Sequence, residues 1–132
     1  DPQTSYLGHG VGVSGGAMSG RLVFTLEEIE EWRVMDPGAD LILARNDTVP
    51  DDIQEIHAAD GLLTARGGLT SHAAVIAHRL GKTCVVGCDN MLCDETRRTV
   101  QFGEFKLRAG DHISIDGQEG SVFSGLIKVK ET

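Results

Sequence analysis

The stretch from Leu62 to Val86 constrains the fold most. Leu62-Leu63-Thr64-Ala65 is a continuous apolar run, Gly67 and Gly68 punctuate it, and Ala73, Ile76, Ala77 and Leu80 then recur at helical spacing until Gly81. Thr83-Cys84-Val85-Val86 follows as a second apolar run. Short runs bounded by turn signals read as buried strands, so the segment predicts a strand, a glycine turn, a helix from about His72 to Leu80 and a returning strand. Pattern alone gives a β-turn-α-β unit within a chain of mixed α and β.

The turn delivers one histidine to the first turn of that helix. Thr70 or Ser71 is a natural N-cap, which sets His72 among backbone N–H groups with no intrahelical partner, at the positive end of the helix dipole. An anion is stabilised there, and Gly67 and Gly68 allow backbone to approach it closely. The same positive end disfavours imidazolium and keeps a neutral ring nitrogen free to attack. A histidine at a helix start can be a mere cap or packing residue; the surrounding glycines and hydroxyls favour a phosphoryl-accepting nucleophile.

Gly67-Gly68-Leu69-Thr70-Ser71-His72-Ala73-Ala74-Val75-Ile76-Ala77 resembles the phosphohistidine signature of the enzymes that use or make phosphoenolpyruvate: pyruvate phosphate dikinase, phosphoenolpyruvate synthase and Enzyme I of the sugar phosphotransferase system. Leu41 to Arg45, Pro50 to Ile53 and Ala58 to Arg66 are similar to the segment leading into that histidine in the dikinases. Gly81 to Cys88 resembles the strand after it, and Gly110 to Gly117 with Gly120 to Val122 resembles the closing hairpin. The chain departs from the pattern with His78, then Arg79, where an arginine usually follows the last alanine. It also has glycine for proline in the opening Gly12 to Gly20 turn.

The resemblance implies a swivelling three-layer β/β/α phosphohistidine domain. In it His72 shuttles phosphate between an ATP-grasp nucleotide-binding domain and a phosphoenolpyruvate/pyruvate-binding barrel domain. Through those partners it implies ATP, pyruvate and phosphoenolpyruvate, with magnesium in the full enzyme and no cofactor held by this domain. Lys82-Thr83-Cys84-Val85 and Pro50-Asp51-Asp52-Ile53 favour the dikinase over the synthase or Enzyme I. A stand-alone regulatory or binding module is the alternative from another class. The resemblance also makes Thr70 a candidate for regulatory phosphorylation beside its capping role.

Composition bounds the rest. At 132 residues and 40% hydrophobic content, the chain reads as a single domain, 1–132, and its lack of an initiator methionine suggests a piece excised from a larger multidomain enzyme. A net charge of −8 without a Lys/Arg run argues against nucleic acid, and the acidic clusters at Glu27 to Glu31 and Asp51 to Glu55 read as exposed helix faces. No apolar run has membrane-spanning length and Asp1-Pro2-Gln3-Thr4 opens no signal peptide, so the expectation is a cytoplasmic protein without a membrane segment. Cys84, Cys88 and Cys93 are odd in number and lack C-x-x-C spacing, which predicts reduced thiols and no metal site, with Cys84 a buried strand residue. His9, His57, His78 and His112 are scattered and form no metal-ligand pair.

Elsewhere, Arg21 to Phe24 reads as a strand and Thr25-Leu26-Glu27-Glu28 as a capping box opening a helix toward Arg33. A strand is expected at Leu41 to Ala44. A short helix opening near Pro50 should carry Ile53 and Ile56 inward. Strands are also expected at Thr99 to Phe102, Phe105 to Leu107, His112 to Ile115, Ser121 to Phe123 and Leu126 to Val129. Residues 1 to 20 read as a flexible, linker-like opening. Gly10 to Gly15 matches G-x-G-x-x-G without a preceding strand or following helix and reads as a turn. Gly81-Lys82-Thr83 mimics a P-loop ending whose leading glycine would fall at Ile76, which excludes it.

Overall fold

A computed structural model describes residues 5–38, 40–46, 53–65, 72–88, 91–94, 96–103 and 105–124. Its strands are β1 (Ser5–His9), β2 (Val11–Ser14), β3 (Ala17–Val23), β4 (Leu41–Arg45), β5 (Gly61–Thr64), β6 (Thr83–Val86), β7 (Met91–Asp94), β8 (Thr99–Phe102), β9 (Phe105–Arg108), β10 (His112–Asp116) and β11 (Ser121–Ser124). The helices are α1 (Leu26–Met35), α2 (Ile53–Ala58) and α3 (His72–Leu80).

Eight strands form one sheet in the order β1-β11-β10-β3-β4-β5-β6-β2, and β7-β8-β9 form a second. Strands β3 to β6 run parallel at the centre of the large sheet, and the pairs outside them are antiparallel. The parallel strands are buried on both faces, which is why β4, β5 and β6 read as unbroken apolar runs. Alternation divides their side chains between two cores. Val23, Leu41, Leu43, Leu62, Cys84 and Val86 meet Ile29 of α1, Ala77 of α3 and Ala59 on one side. Leu22, Ile42, Ala44, Leu63 and Val85 meet Met91, Cys93, Val100 and Phe102 of the small sheet on the other. The result is the expected β/β/α layering, with the small sheet, the large sheet and the helices in succession.

Helix α1 starts as its sequence predicts. The Glu28 N–H donates to Thr25 Oγ1 at 3.1 Å, satisfying one orphan donor, while the Glu28 carboxylate accepts from the Phe24 N–H at 2.7 Å. The return bond thus lands one residue before the N-cap Thr25. Asp36, Pro37 and Gly38 lie beyond the helix, and the Asp36 N–H closes on Trp32 O at 2.7 Å. Glu27, Glu30 and Glu31 are exposed, as the acidic face requires.

Two readings of the opening segment are corrected. Residues 5 to 20 are not a linker: they contribute β1, β2 and most of β3 to the large sheet. Gly10 to Gly15 is not a turn but chiefly strand β2, an edge of that sheet. The glycines serve close approach. At Gly10, which separates β1 from β2, an added Cβ would lie 2.5 Å from Val86 O, and the Gly10 N–H donates to Gly120 O at 2.7 Å. At Gly120, with φ +82°, a Cβ would lie 2.2 Å from Gly10 O, so both positions exclude side chains. Strand β7 is an addition to the sequence reading. The expected strand at Leu126 to Val129, the opening of α2 before Ile53, and the side chains of Ile53 and Ile56 lie outside the described residues.

Candidate active site

His72 is the first residue of α3, and the chain reaches it from the carboxyl end of β5. Gly67, Gly68, Thr70 and Ser71, the expected anion-supporting turn and N-cap, lie outside the described residues, and His72 is described by its backbone. The rest of α3 explains why a helix forms there and how it is held. Ala77 is fully buried and Ile76 packs partly buried against the helix-side core, while Val75, His78 and Arg79 face outward. The expected buried stripe does not run the full length: Leu80 is 38% exposed.

The C-terminal end of α3 is tightly closed. Gly81, at φ +70°, donates to His78 O at 3.1 Å, and the Lys82 N–H reaches back to Ala77 O at 3.0 Å, together forming a Schellman motif. The Lys82 ammonium then donates to the carbonyl of His57 at 2.9 Å and to that of Ala59, satisfying carbonyls where α2 ends. Burial pushes the Lys82 pKa down; Asp60 opposes that shift and Arg33 adds to it.

Beside it, Arg33 Nη2 donates to Ala58 O at 2.8 Å and to Asp60 Oδ2 at 3.1 Å, and the same carboxylate oxygen accepts from the Leu41 N–H at 2.9 Å. Asp40, next to this cluster, has its pKa raised by burial and by the Asp60 charge, against the lowering influence of Arg33. These contacts fasten the amino ends of β4 and β5 to the ends of all three helices. Sequence reasoning found Lys82 only as part of a likeness and a failed P-loop match. The available signal was a lysine directly after the C′ glycine.

The remaining singled-out groups lie apart from α3's first turn. Cys84 is buried on the helix side of β6, where burial pushes its thiol up to about 12 and leaves it protonated at neutral pH. Cys88 and Cys93 are buried in the opposite core and form no disulfide. His9 is exposed, with a ring nitrogen 2.5 Å from Glu119 O. His57 and His78 are exposed too. His112 pairs across strands with Arg21, which stacks over Trp32 at 5.0 Å. Burial and then the Arg21 charge lower the His112 pKa, with Asp111 opposing. Among the described residues no group of three His, Cys, Asp or Glu side chains could hold a metal ion, and no helix is long and apolar enough to cross a membrane.

Residues 37–120, a span that includes the whole strand-helix-strand unit around His72, match the family described as PEP-utilising enzyme, mobile domain. The chain belongs to that family. It is 45% identical over 116 residues to pyruvate, phosphate dikinase 1, chloroplastic, of Arabidopsis thaliana, covering 88% of this chain and 12% of that protein. To pyruvate, phosphate dikinase of Clostridium symbiosum it is 40% identical over 125 residues, covering 95% of this chain and 14% of that protein. The chain therefore spans less than one sixth of the length of these curated relatives. A solution structure of an Enzyme I protein matches with a TM-score of 0.44 and 29% identity, over 63% of this chain and 29% of the other.

Proposed function

We propose that this chain is the phosphoryl-carrier domain of a pyruvate phosphate dikinase-like phosphotransferase, with His72 carrying the group. The observation that carries the reading is His72 at the first residue of α3, inside the family-matched span, in a chain more than 40% identical to a named dikinase. In the proposed step a lone pair on the neutral imidazole forms an N–P bond. The P–O bond of a phosphoanhydride or enol-phosphate donor breaks, and its electron pair leaves on the donor oxygen. Gly67, Gly68, Thr70 and Ser71 are the proposed support for the phosphoryl oxygens, Thr70 also being the proposed control point.

The reading takes residues 1–132 as one domain of a longer cytoplasmic protein. An ATP-grasp domain and a phosphoenolpyruvate/pyruvate barrel supply ATP, pyruvate, phosphoenolpyruvate and magnesium. The carrier domain itself holds no cofactor. Phosphoryl transfer needs in-line positioning and metal-assisted charge neutralisation, which is why the proposal includes partners.

The test is phosphorylation of the full-length protein with phosphoenolpyruvate and magnesium, followed by intact mass. One acid-labile, base-stable phosphate is expected on the wild type and none on His72→Ala. Undiminished phosphorylation of the variant removes His72 from the mechanism.

A further inference from the structure

Register pairs Arg45 with Thr64 at the carboxyl ends of the parallel strands β4 and β5. Leu41 and Leu43 enter the helix-side core and Ile42 and Ala44 the opposite one, so Arg45, two residues beyond Leu43, falls on the helix side. Leu62 places Thr64 on the same side. Arg45 is half-buried and its Nε is buried, so the stem is held while the residue keeps access to the surface.

The position of α3 along these strands follows from its other end. Lys82, two residues beyond the helix, grips the carbonyls of His57 and Ala59 just ahead of Gly61, at the amino end of β5. The helix packs on β5, β6 and β2. Its nine residues rise about 13.5 Å, and the four residues of β5 span about 13 Å. Running back along the sheet from its fastened end, α3 begins level with the carboxyl ends of β4 and β5. His72 and Arg45 therefore share one end and one face of the sheet. Of the other described cations, Arg21, Arg33, Arg79 and Lys82 belong to the opposite end: Arg21 is in register with Leu41, Arg33 holds Asp60, and Arg79 and Lys82 close α3. Arg98 reaches the start of α1, two strands from β5, and is paired there with Glu28 at 3.4 Å.

We infer that Arg45 is the guanidinium that holds and neutralises the phosphoryl group on His72. The inference rests on the carrier reading above and names a binding residue for it. A phosphoryl group on nitrogen presents terminal oxygens whose charge the helix end offsets only in part. A planar guanidinium fork matches two of those oxygens and stays charged at every accessible pH. Arg45 moves no proton; its charge is matched to oxygens that persist while the N–P bond forms and the donor P–O bond breaks.

The experiment compares wild type, Arg45→Met and Arg45→Lys in the full-length protein. It measures the rate of His72 phosphorylation by intact mass and the titration of the phosphorylated protein by phosphorus-31 NMR. Loss of a charge-stabilising donor at a transferring group costs on the order of 100-fold in rate, which is the expectation for Arg45→Met. Arg45→Lys, which keeps the charge and loses the fork, is expected to be about tenfold slower than wild type. The phosphoryl pKa should rise in Arg45→Met, since the cation favouring the dianion is gone.

A rate within twofold of wild type for Arg45→Met, or an unmoved titration, overturns the inference. If Arg45→Met does not fold, Arg45→Lys decides, a wild-type rate again overturning it. A wild-type protein that takes no phosphate on His72 overturns the carrier reading itself, before any Arg45 variant is compared.

Discussion

The two sides of the large sheet are held by different means. On the small-sheet side, Met91, Cys93, Val100 and Phe102 close over Leu22, Ile42, Leu63 and Val85, a nearly continuous apolar contact. On the helix side the apolar contact is supplemented by bonds at helix ends: Thr25 and Glu28 at the start of α1, Arg33 and Asp60 between α1, α2 and β4, and Lys82 between α3 and α2. Burial is non-directional and supplies most of the folding free energy; charged hydrogen bonds contribute less but fix orientation. The proposed nucleophile stands on the side where charged hydrogen bonds join helix ends to strands, whereas the small sheet is tied to the end of β4 by the neutral bond from Asn46 to Cys93 O at 2.7 Å.

Substitution should separate the two. Phe102→Ala empties a buried aromatic site between the sheets and is expected to cost about 3–5 kcal/mol. Chemical denaturation measures this, while phosphorylation of His72 in the folded fraction should stay at the wild-type rate. A loss below about 1 kcal/mol would mean that the small sheet is not a principal contributor. Lys82→Met keeps the stem and removes the ammonium. It should cost about 1 kcal/mol globally, because the site is partly solvated. Hydrogen exchange should nevertheless speed up at the amides of Gly81 and Lys82, where α3 closes. Uniform acceleration across all strands would show that the clamp is not local.

The smallest effect lies outside both cores, at His112. Its folded pKa is depressed below 6.5, so in the window just below 6.5 the unfolded chain binds more protons than the folded one. Stability therefore falls as pH drops through that window. His112→Gln should flatten the pH dependence of the thermal midpoint there, and an unchanged slope would assign the acid sensitivity to other groups.

Much of this was legible in the sequence, for identifiable reasons. The parallel strands β4, β5 and β6 are buried on both faces, so each appears as an unbroken apolar run that needs no partner to be recognised. Helix α3 announces itself by periodicity and by Gly81, although periodicity could not show that Leu80 stays partly exposed. Strands β1 and β2 were illegible because glycine looks alike whether it gives freedom or makes room. At Gly10 it makes room for Val86 and Gly120, contacts about 76 and 110 residues away in the chain. Strand β7 is four residues of alternating burial, too short for its period to stand out. His72 was marked by its own neighbours. Arg45 was visible only as the end of a strand, because the relation that matters is its level beside a helix start 27 positions later.

Strands β1 and β2 are separated by the single residue Gly10, yet β1 forms one edge of the eight-stranded sheet and β2 the other. One short stretch of chain thus acts as a clasp, buttoning the first strand of a curled ribbon to its last, with a register shift on each side where it bends. The clasp limits how far the ribbon can uncurl, because its two outermost strands can part by no more than the span of one residue. In the proposed carrier, a sheet fastened to itself in this way travels between partners as one piece, its two hems tied at Gly10.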